Sequence, residues 1–272
     1  MTITYADIAE QYLAERSVSA HYAGCVRRIA KRCPTVSVEK LNRYLATRLN
    51  DAAGTTVKFE RTILLSLWRW AYDRGLMDIA PRGVARLKAR RKPTKAWTLE
   101  QIRAAIAATH ELDGRRLKSG ASLGLLLRAW SLLGYECGAR WGDLWMLTAD
   151  HLDGDAVSWT QSKTGDPIVR VLTPACLAAV REMLAASPDG RILGWACGRR
   201  QAMRLMREHL DRCGIGGTSK WLRRSGATHI EIHEPGKARH HLGHRTAGLA
   251  ERNYIDWSQV RANAPRTPEL IG

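Results

Sequence analysis

Residues 219–256 read SKWLRRSGATHIEIHEPGKARHHLGHRTAGLAERNYID, and the rest of the chain is interpreted around them. Lys220, Arg223, Arg224, five histidines and Tyr254 crowd into this stretch, and Tyr254 is the only tyrosine after Tyr135. Lys220 and Arg223 lie one turn apart, so on a helix both project from one face. A late phenol behind a run of cations fits one arrangement: the phenol is a nucleophile and the cations hold a phosphate. A phenol with a pKa of about 10 needs cations close by before it attacks near neutral pH. Its phenolate is also a moderate leaving group, so a bond made to phosphorus can be reversed by a free hydroxyl.

The composition agrees with a polyanionic partner. Over 272 residues, 43 Lys and Arg against 26 Asp and Glu leave a net charge of +17, which points to nucleic acid first and an anionic membrane surface second. The 45% apolar content is that of an ordinary globular protein, and the length allows one large or two modest domains with their own cores. No uncharged run approaches the ~20 residues a bilayer span needs. The start, MTITYADIAEQYLAER, has early acids and no apolar core of a signal peptide. Cys25, Cys33, Cys137, Cys176, Cys197 and Cys213 form no CxxC pair. Their scatter argues against a zinc site or a disulfide framework and for a reducing cytosol, hence a cytoplasmic protein.

Apolar residues recur at helical spacing over 3–13, 18–29, 38–49 and 57–77, with breaks at Ser17, Cys33-Pro34 and Ala53-Gly54. Residues 1–78 therefore read as a helical domain. Its cations Arg27, Arg28, Lys31, Arg32, Arg43, Arg48, Lys58 and Arg61 suit a module lying along phosphates as well as a solvated face. Residues 79–97 carry Pro81, Gly83, Pro93 and seven cations without an acid, and read as a basic tether. A second domain, 98–256, opens on a capping box from Thr98 to Gln101. An apolar helix over about 121–136, ended by Gly138, and a short helix over 141–147 follow. Segments 156–160 and 168–172 are β-branched or alternating and flank a loop with Lys163 at its tip, which predicts a hairpin. Helices are expected near 174–186, 198–212, 219–232 and 236–242, with a last one carrying Tyr254. The tail, 257–272, holds Pro265 and Pro268 and is not expected to be helical throughout; Trp257 in it is expected to be exposed unless a neighbouring subunit buries it. The fold class is mainly α with a small β-sheet: an α+β domain behind a helical one.

Breaking a phosphodiester through a covalent intermediate needs a nucleophile in line, cations on the non-bridging oxygens, an acid for the departing oxygen, and a group that deprotonates or orients the nucleophile. Arginine suits the second task because its fork matches two phosphate oxygens and stays charged. Arg140 and Arg223 are the candidates, with Asp143 one turn beyond Arg140 to orient it. Lys163 on a hairpin tip can swing in as a proton donor. His229 and His233 have a spacing that could share a metal, but the order His-Ile-Glu-Ile-His lacks a convincing third ligand, and no metal is expected. Trp68, Trp130, Trp145 and Trp159 fall at apolar-periodic positions and are expected in the core rather than against bases.

The segment Cys137-Gly-Ala-Arg140-Trp-Gly-Asp-Leu-Trp-Met-Leu147 resembles the first arginine motif of the tyrosine recombinases, the phage-integrase family. Lys163 falls on the hairpin where that family carries its catalytic lysine. Lys220-Trp-Leu-Arg223-Arg-Ser-Gly-Ala-Thr228 resembles its His-x-x-Arg box, Leu242-Gly-His244 its Leu-Gly-His box, and Tyr254 its nucleophile. The helical first domain and basic segment resemble the family's core-binding domain, so the likeness spans nearly the whole chain. Two features depart from the pattern. Lys220 stands where histidine is usual, and lysine donates to phosphate but is a poor acceptor for the tyrosine proton. The interval from His244 to Tyr254 is also slightly long, so the last helix is expected to sit differently. No separate arm-binding domain is expected ahead of Ile3.

The resemblance implies a site-specific recombinase or integrase. Tyr254 would attack phosphorus, form a 3′-phosphotyrosyl link and free a 5′-hydroxyl. Arg140 and Arg223 would stabilise the transition-state charge, Lys163 would protonate the leaving oxygen, His244 would bond a phosphate oxygen, and Lys220 would contribute charge. No cofactor is implied, because the phosphotyrosyl bond conserves the energy; accordingly the sequence has no P-loop pattern. The partner would be double-stranded DNA, bound as a homo-tetramer on paired sites in the cytoplasm of a bacterial or phage-infected cell, with accessory DNA-bending proteins left open. Two other readings stand beside it: a type IB topoisomerase-like nicking and resealing enzyme, and a catalytically impaired DNA-binding relative.

Overall fold

Hydroxyl side chains set the first helix starts. Thr4 caps α1 (Tyr5–Ala14) in a reciprocal box with Asp7, Ser19 caps α2 (Ala20–Arg32) and Ser37 caps α3 (Val38–Asp51). The longest helix, α4 (Gly54–Asp73), starts without a side-chain cap. These elements belong to a computed structural model that describes residues 3–88 and 92–263. The chain divides into two units, Met1–Lys92 and Pro93–Gly272.

In the first unit, Tyr5, Ile8, Val26, Ile29, Leu41, Leu45, Leu64 and Trp68 form the core between the four helices. Glu60 on α4 is 2% exposed, and a carboxylate that deep needs several donors. It receives Arg32 at 3.0 Å, Tyr44 at 2.8 Å and Arg48 at 3.2 Å, which ties α2 and α3 to α4. The expected tether is shorter than 79–97. Val84 and Leu87 pack on the first core, and Asn42 and Arg61 hold the backbone at Val84 and Ala85. At the other end, Ala96 and Trp97 are buried in the second unit. The charge run masked these apolar residues, which lie singly or as one pair beside cations. Arg90 and Arg91 of that stretch lie outside the described residues.

The second unit opens as the sequence implies, with Thr98 and Gln101 capping α5 (Leu99–Ala107) reciprocally. Its centre is α6 (Leu123–Glu136), apolar around most of its circumference and therefore surrounded. Around it pack α5, α7 (Trp141–Trp145), α8 (Pro174–Ala185) and α10 (Lys220–His233). Leu126, at the end of the first turn of α6, has no exposed surface. Leu126→Ala is expected to lower unfolding free energy by about 2–5 kcal/mol through lost burial and the cavity it leaves. Urea titration checks this, and a loss under about 1 kcal/mol would mean the core is not built around α6.

The sheet has the order β1-β2-β3, all antiparallel, formed by β1 (Leu152–Asp153), β2 (Ala156–Thr160) and β3 (Pro167–Val171). Trp159 pairs with Ile168 across the expected hairpin, and both face the core. The two-residue β1 was not expected; it is too short to show a period. Trp68, Trp130, Trp145 and Trp159 are all buried, as their spacing implied.

After α9 (Arg199–Arg212) and α10, three short helices fold back: α11 (Ala238–His241), α12 (Ala247–Asn253) and α13 (Trp257–Ala262). They share a small, alanine-rich cluster of Ala227, Ala238, Leu242, Ala250 and Ile255. One expectation changes here. Tyr254 is not inside the last helix but just past the end of α12, as its C-cap. Trp257 is 41% exposed, as expected without a covering subunit; the helix it opens, α13, packs on α10 of its own chain, and Gln259 donates to the Ala96 carbonyl at 2.9 Å. Pro265 and Pro268 lie outside the described residues. No helix among the described residues is long and apolar enough to cross a membrane.

Candidate active site

Gly138 ends α6 in the left-handed region, φ +54°, and turns the chain so that Arg140 emerges as the extended N-cap of α7. The Arg140 guanidinium donates from Nη1 to Gln161 Oε1. Asp143, expected to orient Arg140, stands off at 3.9 Å. Its Oδ1 instead accepts from the Ser162 hydroxyl at 2.6 Å and amide at 3.2 Å. The carboxylate thus fixes the hairpin base, and a neutral amide takes the arginine.

Arg223 leaves α10 toward the same point and is 5% exposed. Its Nη1 donates to the Gly138 carbonyl, and its Nη2 to the Leu242 carbonyl at 3.0 Å and His244 Nε2 at 3.1 Å. Its Nε has no partner among the described residues. The guanidinium carbon lies 4.9 Å from the centre of the Tyr254 ring. Lys220 Nζ lies 5.8 Å from that ring, and the His244 ring meets it edge-on at 5.1 Å. A cavity of about 490 Å³ opens beside this cluster, lined by Arg140, Lys163, Lys220, Arg223 and Tyr254 over an apolar wall that includes Trp130, Trp141, Leu144 and Met203. Lys163 reaches it from the exposed hairpin tip. All six residues singled out in the sequence therefore meet at one place: five line the cavity, and His244 touches two of them.

Burial pulls the Arg223 guanidinium down to about 10, with Tyr254 opposing the shift and Arg140 adding to it, so it stays charged near neutral pH. Burial, then the charges of Arg223, Arg140 and Lys163, hold His244 down to about 4. The imidazole is neutral, and its Nε2 accepts from Arg223. The ring proton therefore sits on Nδ1, which has no partner among the described residues. Behind it, His241 packs against Gly138 and Gly226, and burial holds it down to about 3.

Burial also lowers His209 and His229. For all four histidines the folded value lies below the ordinary 6.5, so the unfolded chain binds more protons as pH falls through that value. Their contribution is complete above the ordinary value and is lost toward the folded ones. The melting temperature without DNA is expected to fall as pH is lowered from about 7.5 to 5, with up to about 1.4 kcal/mol per pH unit from each group. His241→Asn should flatten the slope. A melting temperature that holds or rises over that range contradicts the assignment.

His229, considered above as a metal ligand, pairs through Nδ1 with the Tyr135 hydroxyl at 2.9 Å. Among the described residues, no three His, Cys, Asp or Glu side chains group as metal ligands. The functional neighbour that sequence reasoning missed is Gln161, 2% exposed. Apart from Thr164, whose hydroxyl donates to it at 3.4 Å, its side-chain partners are remote in sequence, and no local pattern marks it.

The chain has the fold of the tyrosine recombinases. A lambda integrase dimer bound to a COC′ core site matches it with a TM-score of 0.77 at 17% identity, over 99% of this chain and 81% of that one. A lambda integrase tetramer bound to a Holliday junction matches with a TM-score of 0.70 at 18% identity, over 90% and 79%. The Tn1549 transposon integrase with circular intermediate DNA matches with a TM-score of 0.72 at 11% identity, over 97% and 100%. No protein-family model and no curated protein matches the sequence.

Proposed function

We propose that this chain belongs to the tyrosine recombinases and is a site-specific enzyme that cuts and rejoins double-stranded DNA through a 3′-phosphotyrosyl intermediate. The observation that carries the reading is the packing of one phenol against Arg223, Lys220 and His244, at the edge of a cavity that also receives Arg140 and Lys163. The fold, shared with integrases whose structures contain DNA, supports it.

A phosphate seated in the cavity would take its non-bridging oxygens onto Arg140 and Arg223. Each guanidinium is preorganised by protein acceptors, and a donor aimed at developing charge contributes roughly 10²–10³-fold. Entry of the phosphate would also draw Arg223 Nη2 away from His244 Nε2. That frees a neutral nitrogen beside the phenol to take the Tyr254 proton, while Nδ1–H can donate to a phosphate oxygen. Lys220, as an ammonium, has no lone pair to accept the proton; it adds positive charge near the ring, where a phosphate would sit. Tyr254 Oη then bonds to phosphorus as the bond to the 5′-oxygen breaks, and Lys163 gives that oxygen its proton. The 5′-hydroxyl can reverse the step or yield to one from another strand. Work on paired sites as a homo-tetramer is part of the same proposal.

The test begins by recovering DNA sequences that the protein retains from a random pool. A duplex of that sequence, nicked beside the cleavage point so that the short 5′-hydroxyl strand diffuses away, should trap a denaturant-resistant protein–DNA adduct at a 3′-phosphate. Retention without an adduct at any nick position would leave only a DNA-binding protein. Steady relaxation of supercoiled DNA lacking the recovered sequence would favour a topoisomerase-like enzyme instead.

A further inference from the structure

Gln161 is the first residue of the hairpin loop, and its side chain uses every polar position it has. An amide offers one acceptor oxygen and two N–H donors. The oxygen takes Arg140 Nη1, and the nitrogen donates to the carbonyls of Leu242 at 3.4 Å and Gly243 at 3.2 Å. Its main chain closes the loop that carries Lys163: the amide donates to the Asp166 carbonyl at 2.9 Å, and the carbonyl accepts from Gly165 at 2.9 Å. Leu242 O also accepts Arg223 Nη2, so the two arginines end on one carbonyl, one directly and one through this amide. The backbone approaches closely only because residue 243 is glycine at φ +61°, where a β-carbon would collide with Gln161 Nε2.

We infer that Gln161 is a positioning residue that aligns Arg140 with the Leu242–His244 backbone as one unit. The inference rests on the recombinase reading for its kinetic consequence. Two physical points favour it over simple core filling. An apolar side chain of that size would fill the space without the cost of burying an amide. A neutral acceptor also fixes Arg140 by a hydrogen bond without placing a second negative charge beside it: one oxygen of the buried Asp143 carboxylate already lies 3.9 Å from Nη1, while its other oxygen takes Ser162. A carboxylate at residue 161 would neutralise the guanidinium and repel the two carbonyls.

The experiment is single-turnover cleavage of the nicked duplex by wild type, Gln161→Leu, Gln161→Glu, Arg140→Lys and the Gln161→Leu/Arg140→Lys double variant, with duplex affinity and thermal melts measured in parallel. Gln161→Leu should slow cleavage about 10- to 100-fold, with affinity within about twofold, because small displacements of a catalytic group cost that much. In the Arg140→Lys background, the same change should cost under about threefold, since its effect passes through the guanidinium. Equal losses in both backgrounds, or a loss under threefold in wild type, overturn the inference. Should Gln161→Leu fail to melt cooperatively, Gln161→Glu decides: it should fold and lose cleavage, and a wild-type rate overturns. If wild type forms no adduct, the recombinase reading falls. The crystal structure of Gln161→Glu then judges the alignment: Arg140 and the Leu242–Gly243 backbone should be displaced, and unmoved positions overturn it.

Discussion

Tyr254→Phe is expected to abolish the covalent DNA adduct while leaving duplex affinity within about twofold of wild type. Only the hydroxyl is removed, and the ring that packs against Arg223, Lys220 and His244 stays. Phenylalanine offers the same face to the two cations, so the cavity should keep its shape and its charge. Loss of a covalent nucleophile costs roughly 10⁴-fold or more, which places the residual rate below detection in a gel assay. Thermal melting within about 2 °C of wild type would show that the effect is chemical, since removing one hydroxyl from a half-buried side chain at a cavity wall costs little stability. Undiminished adduct formation by Tyr254→Phe would remove the phenol from the mechanism and move the nucleophile elsewhere.

Arg223→Ala should lower cleavage roughly 10³-fold or more, because a buried guanidinium aimed at transferring phosphate is worth about that in related chemistry. Arg223→Lys should recover only part of this: the charge remains, but the fork that spans Gly138 O, Leu242 O and His244 Nε2 is lost. Stability must be followed separately. Alanine withdraws donors from two carbonyls in a buried place, at a cost of about 1–3 kcal/mol. His244 also changes: both variants lose the Nη2 donor to Nε2, and Arg223→Ala removes in addition one of the charges that hold it neutral. Single-turnover rates at saturating duplex, measured well below the melting temperature, isolate the chemical effect. Cleavage within tenfold of wild type in Arg223→Ala would mean the guanidinium is structural.

Much of the fold is local in origin and so was readable in advance. Thr98 and Gln101 announce a helix start because the capping bonds close within one turn. The hairpin shows itself by alternation on both sides of Lys163, and its register follows. Tryptophans at helical or strand spacing are core because nothing else would cover them. What escaped reading has partners far along the chain. Val84, Leu87 and Trp97 look like members of a charged tether until the cores they enter are formed. Gln161 has no sequence signature, since its bonds reach Arg140 on one side and Leu242 and Gly243 on the other. Asp143 is a related case: helical spacing places it near Arg140, where one oxygen stands at 3.9 Å, but only the folded hairpin brings Ser162 to the other oxygen as its hydrogen-bond donor.

The amino-acid sequence by itself determined the helix and strand order, the strong positive charge and the six residue types the chemistry needs, because periodicity, caps and composition act over a few residues at a time. Only the tertiary structure decided that these six side chains meet at one place, five of them around one cavity, that an amide takes the hydrogen bond of Arg140, that His244 is neutral, and that Tyr254 follows its helix rather than sitting inside it. Those outcomes depend on distances between segments far apart in the chain and on the loss of water around them, and neither exists until the core has closed.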